Sequence, residues 1–287
     1  MPRDDPPQDL QADLLRRGLM ARSVRFEPLQ GGRTNKVWKL VGPGPDRVLK
    51  LYQRTRPNPL FGNDPELEAL CLNALAPTGL SPKFRASGDI PNAVWVLYEH
   101  AAGTPWTSDT ASVAGLLAKL HTLRPPIALP KGCNGSADLD ATTQRILSLC
   151  HSSERARLLD LKPSGNVRAT AATCLIHGDP VAGNILVNGA SLVLIDWQCP
   201  AIGDPTEDLA LFLSPAMMQV YRGAPLSPDE TCAFLAAYPH QQTTERYAAL
   251  KPWFAWRMAA YCLWRAENGS QEYAQGLALE CANLGTD

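Results

Sequence analysis

The chain has 287 residues, with 27 Lys and Arg against 28 Asp and Glu, a formal charge of −1, and 45% hydrophobic and 19% charged side chains. At roughly 150 residues per domain this length predicts one large domain or two lobes sharing a cleft, with a core large enough to need neither disulfides nor a structural metal. The balanced charge provides no basic field for a polyanion, so nucleic acid is not an expected partner.

Apolar runs such as Ala93 to Tyr98 are far short of the ~20 residues that span a bilayer. The opening MPRDDPPQDL has no apolar stretch of the signal-peptide kind, so a cytoplasmic chain without a membrane partner is expected. Eight cysteines form no CxxC pair and mostly have apolar neighbours, which predicts reduced core thiols.

An amphipathic opening over 9–20 is followed by a β-meander. Its strands are expected over 24–29, 36–41 and 47–53, joined by the Gly31-Gly32 turn and by Gly42-Pro43-Gly44-Pro45-Asp46. Asp64 as N-cap and Pro65 at the first helical position open a helix to about Ala76, ended by Pro77 and Gly79. A short strand over 94–98 runs into Glu99-His100-Ala101-Ala102-Gly103, a linker. Helical patterning then dominates over 111–121, 141–161, 229–237 and 244–281, interrupted by a strand-rich stretch over 174–197. The expected fold is α+β and two-lobed: a small antiparallel β-rich lobe with one main helix over 1–102, and a larger, mostly helical lobe over 103–287.

The run Cys174 to Ala210 reads CLIHGDPVAGNILVNGASLVLIDWQCPAIGDPTEDLA. Asn188-Gly189 is a turn signal between two short apolar strands, so a hairpin carries Asn184 on one arm and Asp196 just beyond the other. With a loop of four residues, Asn188 to Ser191, Asn184 faces Ile195 and lies close enough to Asp196 to share a cation. A two-residue loop at Asn188-Gly189 would separate them. Phosphoryl transfer needs a carboxylate to take the proton of the attacking hydroxyl and hard oxygen ligands for magnesium. Asp179 suits the first role, and Asn184 and Asp196 the second. The plain alternative is that His177, Asp179 and Asn184 are turn formers.

In the third strand Val48, Lys50 and Tyr52 share one face, and Leu49 and Leu51 the other. A lysine between two leucines is a semi-buried cation in need of a partner, unless it faces solvent at an edge. Glu68 is the preferred partner, because it shares the apolar stripe Cys71, Leu72 and Leu75 of the next helix; Glu66 is explained by the helix dipole.

HGDPVAGN, then IDW, then GDPTEDLA resembles the catalytic core of the aminoglycoside phosphotransferase and choline kinase superfamily, small-molecule kinases on a protein-kinase-like fold. The resemblance implies that Asp179 is the catalytic base, that His177 braces its loop, that Asn184 and Asp196 ligate Mg2+, and that Asp208 ties the catalytic loop down by hydrogen bonds. It also implies that Lys50 and Glu68 orient the ATP phosphates. Gln30-Gly31-Gly32-Arg33-Thr34-Asn35 is similar to the GGxTN phosphate loop of choline-type and thiamine-type kinases. By the same comparison Tyr98 flanks the adenine, with the Glu99 carbonyl and the Ala101 N–H as its hinge contacts. Two features depart from protein kinases: Gly178 replaces their Arg, and only seven residues separate Asp196 from Asp204. An enzyme without an activation-loop switch, acting on a small molecule, is therefore expected.

Trp253, Trp256, Arg257, Ala260 and Trp264 align on one helical stripe. Such a stripe is first of all a core stripe; the alternative is a substrate pocket, in which Arg257 would suit an anionic or stacked heteroaromatic group better than a cation. Glu245 and Glu267 are the acidic candidates there, or plain surface charges. The expected activity is ATP- and Mg2+-dependent phosphorylation of a hydroxyl on a small metabolite of choline, ethanolamine, thiamine or amino-sugar type. Aminoglycoside antibiotics are the alternative acceptors, and a non-catalytic nucleotide-binding scaffold the alternative class.

Overall fold

A computed structural model describes residues 5–29, 34–53 and 58–284. Helix α1 (Gln8–Arg16) precedes a five-stranded antiparallel sheet of β1 (Arg25–Pro28), β2 (Lys36–Val41), β3 (Arg47–Gln53), β4 (Phe84–Ile90) and β5 (Ala93–Glu99), in the order β1-β2-β3-β5-β4. Helix α2 (Pro65–Leu75) lies between β3 and β4 in the chain. Its first turn is fixed as the sequence predicts, with Asp64 accepting from the Glu66 and Leu67 N–H groups at 2.9 and 3.1 Å.

The alternation of β3 divides two cores. Leu49 and Leu51 join Trp38, Trp95 and Leu97 under α1, whereas Val48 and Tyr52 join Cys71, Leu72 and Leu75 of α2 on the opposite face. Leu10 and Leu14 of α1 are fully buried, contributing roughly 3–6 kcal/mol before the entropy of ordering that helix. Strand β4 was not expected. Its Arg85-Ala86-Ser87-Gly88-Asp89 has almost no apolar alternation, because it is an edge strand paired only with β5.

The C-terminal part begins with β6 (Thr104–Pro105), α3 (Thr110–Thr122), α4 (Ser136–Leu147) and α5 (Glu154–Asp160). It continues through β7 (Cys174–Ile176), β8 (Ile185–Asn188), β9 (Ser191–Leu194) and β10 (Ala201–Gly203), then α6 (Thr206–Leu213), α7 (Pro215–Arg222), α8 (Pro228–Ala237), α9 (Gln241–Glu267) and α10 (Glu272–Leu284). Two expected long helices are each divided. The helix expected over 141–161 breaks between Leu147 and Glu154, where Glu267 accepts the His151 and Ser152 N–H groups at 2.8 and 2.9 Å. The one expected over 244–281 stops at Asn268-Gly269, with Gly269 at φ 92°, a left-handed conformation that terminates α9.

All eight cysteines are free thiols. Among the described residues, no helix is long and apolar enough to cross a membrane.

Candidate active site

Strands β8 and β9 pair as Ile185↔Leu194, Leu186↔Val193 and Val187↔Leu192, and the Ile195 N–H donates to the Asn184 carbonyl at 2.9 Å. The register is the expected one, with Asn184 across from Ile195 and one residue from Asp196, but Asn188 pairs with Ser191, so the turn is the two residues Gly189-Ala190 and not the expected four. The Asn184 amide nitrogen donates to the Asp179 carbonyl oxygen at 2.9 Å and to Asp179 Oδ2 at 3.2 Å. Its Oδ1 is thereby left as a hard oxygen donor. Asp196 sits in left-handed backbone, φ 66°, a strained placement for a non-glycine residue that only the surrounding structure can hold.

The loop from His177 to Asp179 is fixed from beneath. Asp208, fully buried at the start of α6, accepts the His177 and Gly178 N–H groups, both at 2.9 Å. His121 of α3 joins this network without any sequence signal: its ring nitrogens lie 3.1 Å from Asp208 Oδ2 and 2.7 Å from Tyr238 Oη. His177 Nδ1 accepts from the Asp179 N–H at 3.2 Å and Nε2 donates to the Ile195 carbonyl at 3.0 Å. Burial lowers the His177 pKa, so the ring is a neutral brace between the loop and the hairpin. Gly178 has φ 81°, and a β-carbon there would collide with the Cys199 carbonyl oxygen. An arginine at this position is sterically impossible in this backbone.

Asp179 is 8% exposed. Burial first, and the neighbouring Asp196 charge second, push its carboxyl up to about 8. Such a carboxylate is an effective proton acceptor near neutral pH.

Lys50 is buried with its Nζ 3.0 Å from Glu68 Oε2 and hydrogen-bonded to Asp196. Burial alone would drive the ammonium pKa down; the Asp196 and Glu68 carboxylates override it and hold Lys50 protonated. Glu68 is fully buried on the stripe that the sequence places it on, and its Oε1 accepts the Trp197 N–H at 3.3 Å. Gln198 was missed: its Oε1 accepts from Asn35 Nδ2 at 3.0 Å and from Lys50 at 3.3 Å, linking the β2 entrance to the lysine.

A cleft of about 530 Å3 opens over these groups, lined by Thr34, Asn35, Lys50, Tyr98, Ala101, Asp179, Asn184 and Asp196 among others. The Glu99 side chain instead pairs with Arg85. Gly31 and Gly32, the expected phosphate loop, lie outside the described residues.

The Trp stripe does not line this cleft. Trp253 and Trp256 are buried in the helical core, the Trp256 indole N–H donating to the Leu158 carbonyl at 2.6 Å. Arg257 is buried in a bidentate pair with Glu207 at 3.0 and 2.9 Å. Trp264 is half-buried against Tyr261. Glu267 caps the approach to α5, and Glu245 accepts from Gln241 at 2.7 Å. The cleft is reached instead by the neighbouring stripe of α9, Tyr261 and Arg265, with Tyr273 of α10, Tyr221 of α7, and Asn58 and Phe61. Tyr261 and Arg265 follow Arg257 at four-residue steps, and each step turns about 40° around the helix.

The sequence matches the phosphotransferase enzyme family (APH) over residues 25–253. The chain belongs to this family. Family-typical folds agree with the match. A choline/ethanolamine kinase family protein from Mesorhizobium loti superposes with a TM-score of 0.66 at 18% identity, covering 94% of this chain and 91% of that one. Aminoglycoside phosphotransferase APH(4)-Ia gives 0.67 at 13% identity, with 97% and 99% covered. Choline kinase LicA from Streptococcus pneumoniae gives 0.60 at 18% identity, with 95% and 98% covered. At these identities the likeness is one of fold. Among curated proteins no sequence matches this member of the phosphotransferase family significantly.

Proposed function

We propose that this phosphotransferase is an ATP- and magnesium-dependent kinase that transfers the γ-phosphoryl group to a hydroxyl of a small metabolite. The observation that carries the reading is the convergence on one cleft of Lys50, Asp179, Asn184 and Asp196, from two parts of the chain. In this reading residues 1–102 hold the nucleotide and 103–287 supply the catalytic loop and the acceptor pocket.

Lys50, kept protonated and aimed by Glu68, neutralises the α and β phosphates. Thr34 and Asn35 flank the phosphates, with Gly31 and Gly32 assigned beside them on the sequence motif; Tyr98 and Ala101 line the adenine end, with the Glu99 backbone alongside. The Asn184 Oδ1 and the Asp196 carboxylate would hold Mg2+: both are hard oxygen donors, and the Asn184 nitrogen is already engaged. Among the described residues no group of three or more His, Cys, Asp or Glu is placed to hold a metal ion, so an ion between Asn184 and Asp196 would need phosphate oxygens and water to complete its shell. Bound there, magnesium neutralises charge on the phosphates. Asp179 accepts the proton of the acceptor hydroxyl as that oxygen bonds to the γ-phosphorus; the bond to the β–γ bridging oxygen breaks and ADP leaves. His177 and Asp208 keep Asp179 in place throughout.

The test is ADP release with Mg-ATP over a panel of small alcohols, run beside Asp179→Ala. Alcohol-stimulated turnover in the parent and none in the variant is expected. ATP binding without stimulated turnover by any alcohol would instead favour a nucleotide-binding scaffold.

A further inference from the structure

The acceptor end of the cleft has a charge character of its own. Resting on the kinase reading above, we propose that the phosphorylated metabolite carries an anionic group, a carboxylate or a phosphate ester, and that Arg265 with Tyr261 binds it.

Of the three arginines of α9, Arg246 pairs with Asp204, and the other two differ. Arg257 is neutralised by Glu207 through two hydrogen bonds. Arg265, two helical steps on, lines the cleft, and its Nη2 donates only to the Ser270 hydroxyl at 2.9 Å. Its Nε–H is buried without an acceptor, and among the described residues it meets no carboxylate. A half-buried guanidinium in this state offers charge-assisted hydrogen bonds that an oxyanion satisfies.

Tyr261 adds a second donor. Asn58, oriented by the Leu60 and Phe61 N–H groups at 2.9 and 3.0 Å, donates its amide to the Tyr261 oxygen at 3.0 Å. The phenol proton is therefore free for the cleft, and burial raises the phenol pKa so that it stays protonated.

An ammonium-bearing acceptor finds the opposite of what it needs. Among the described residues the only carboxylates lining the cleft are Asp179 and Asp196, both at the phosphoryl end. One aromatic face at this end, that of Tyr273, already carries Arg265 at 4.9 Å.

The experiment measures kcat and KM of the intact protein with Mg-ATP over matched alcohols: glycerol, glycerate, glycerol 3-phosphate, serine, ethanolamine and choline. Carboxylate or phosphate members should be the productive acceptors, and the better of the two names the group. Arg265→Ala should raise KM for that acceptor on the order of 10- to 100-fold with a smaller effect on kcat, and Arg265→Lys should recover part of it. Turnover confined to the neutral or ammonium alcohols, an equal Arg265→Ala effect on every alcohol, or no stimulation by any anionic member overturns the proposal. If the parent protein fails to bind ATP, the kinase reading fails with it, which separates the two outcomes.

Discussion

Replacing Asp179 by Asn should abolish transfer and at the same time stabilise the protein, by an amount that grows with pH. The carboxyl is 8% exposed and titrates at about 8, against 3.8 for an ordinary aspartate. The native state therefore holds an extra proton between those two values, and the stability this group contributes, complete below 3.8, is lost as pH rises through 8. At about 1.4 kcal/mol per pH unit, the stability lost relative to acid is ~2 kcal/mol at about pH 5.5 and ~6 kcal/mol at about pH 9. Asn has the same shape, keeps an oxygen for the Asn184 amide, and brings no charge to bury. The unfolding free energy of Asp179→Asn relative to the parent should thus widen by ~3 kcal/mol between these conditions, or roughly 6–12 °C in Tm. Thermal or urea unfolding of both proteins without nucleotide or metal measures it. A difference that is flat with pH, or that widens toward acid, would refute the buried-charge argument for the base.

Lys50→Met should leave the fully buried Glu68 without its cation and cost about 3–5 kcal/mol, while Lys50→Met with Glu68→Leu should recover much of this; urea unfolding of the single and double variants distinguishes the outcomes. Gly178→Ala should lower both Tm and kcat, because the added carbon meets the Cys199 carbonyl in left-handed backbone. An unchanged Tm would remove the steric account of why no arginine stands there. Asp208→Ala should strand the His177 and Gly178 N–H groups, at about 1–3 kcal/mol each, and lower kcat more than it raises the KM for ATP. The reverse split would place Asp208 on the nucleotide side.

The Asp179 side of the candidate site was legible because its residues are local in sequence. Asp179, Asn184 and Asp196 lie within eighteen residues, and the position of one turn, Gly189-Ala190, sets their register. Lys50 and Glu68 were legible for a different reason: strand alternation and helix periodicity each name a face, and the two faces meet. His121 was not legible, since a histidine among Leu117, Leu120 and Leu123 reads as a core residue until α6 brings Asp208 beneath it. Gln198 carries no motif and acquires its role only when Asn35, just before β2, and Lys50 of β3 reach it. The cleft-facing stripe of α9 was read one face away. Periodicity picks out the most apolar stripe of α9, the one containing Trp256, and the core takes it; the cleft takes the more polar neighbouring stripe with Arg265. Helix ends at Leu147 and Asn268 were missed because their stop signals depend on the Glu267 cap and on a left-handed glycine rather than on a proline.

The most direct test of the central claim is 31P NMR of the protein with Mg-ATP and the alcohol panel. A new phosphate monoester resonance should grow in equal measure with ADP and be absent with Asp179→Asn. ADP appearing only alongside inorganic phosphate, at the same rate with and without every alcohol, would contradict it.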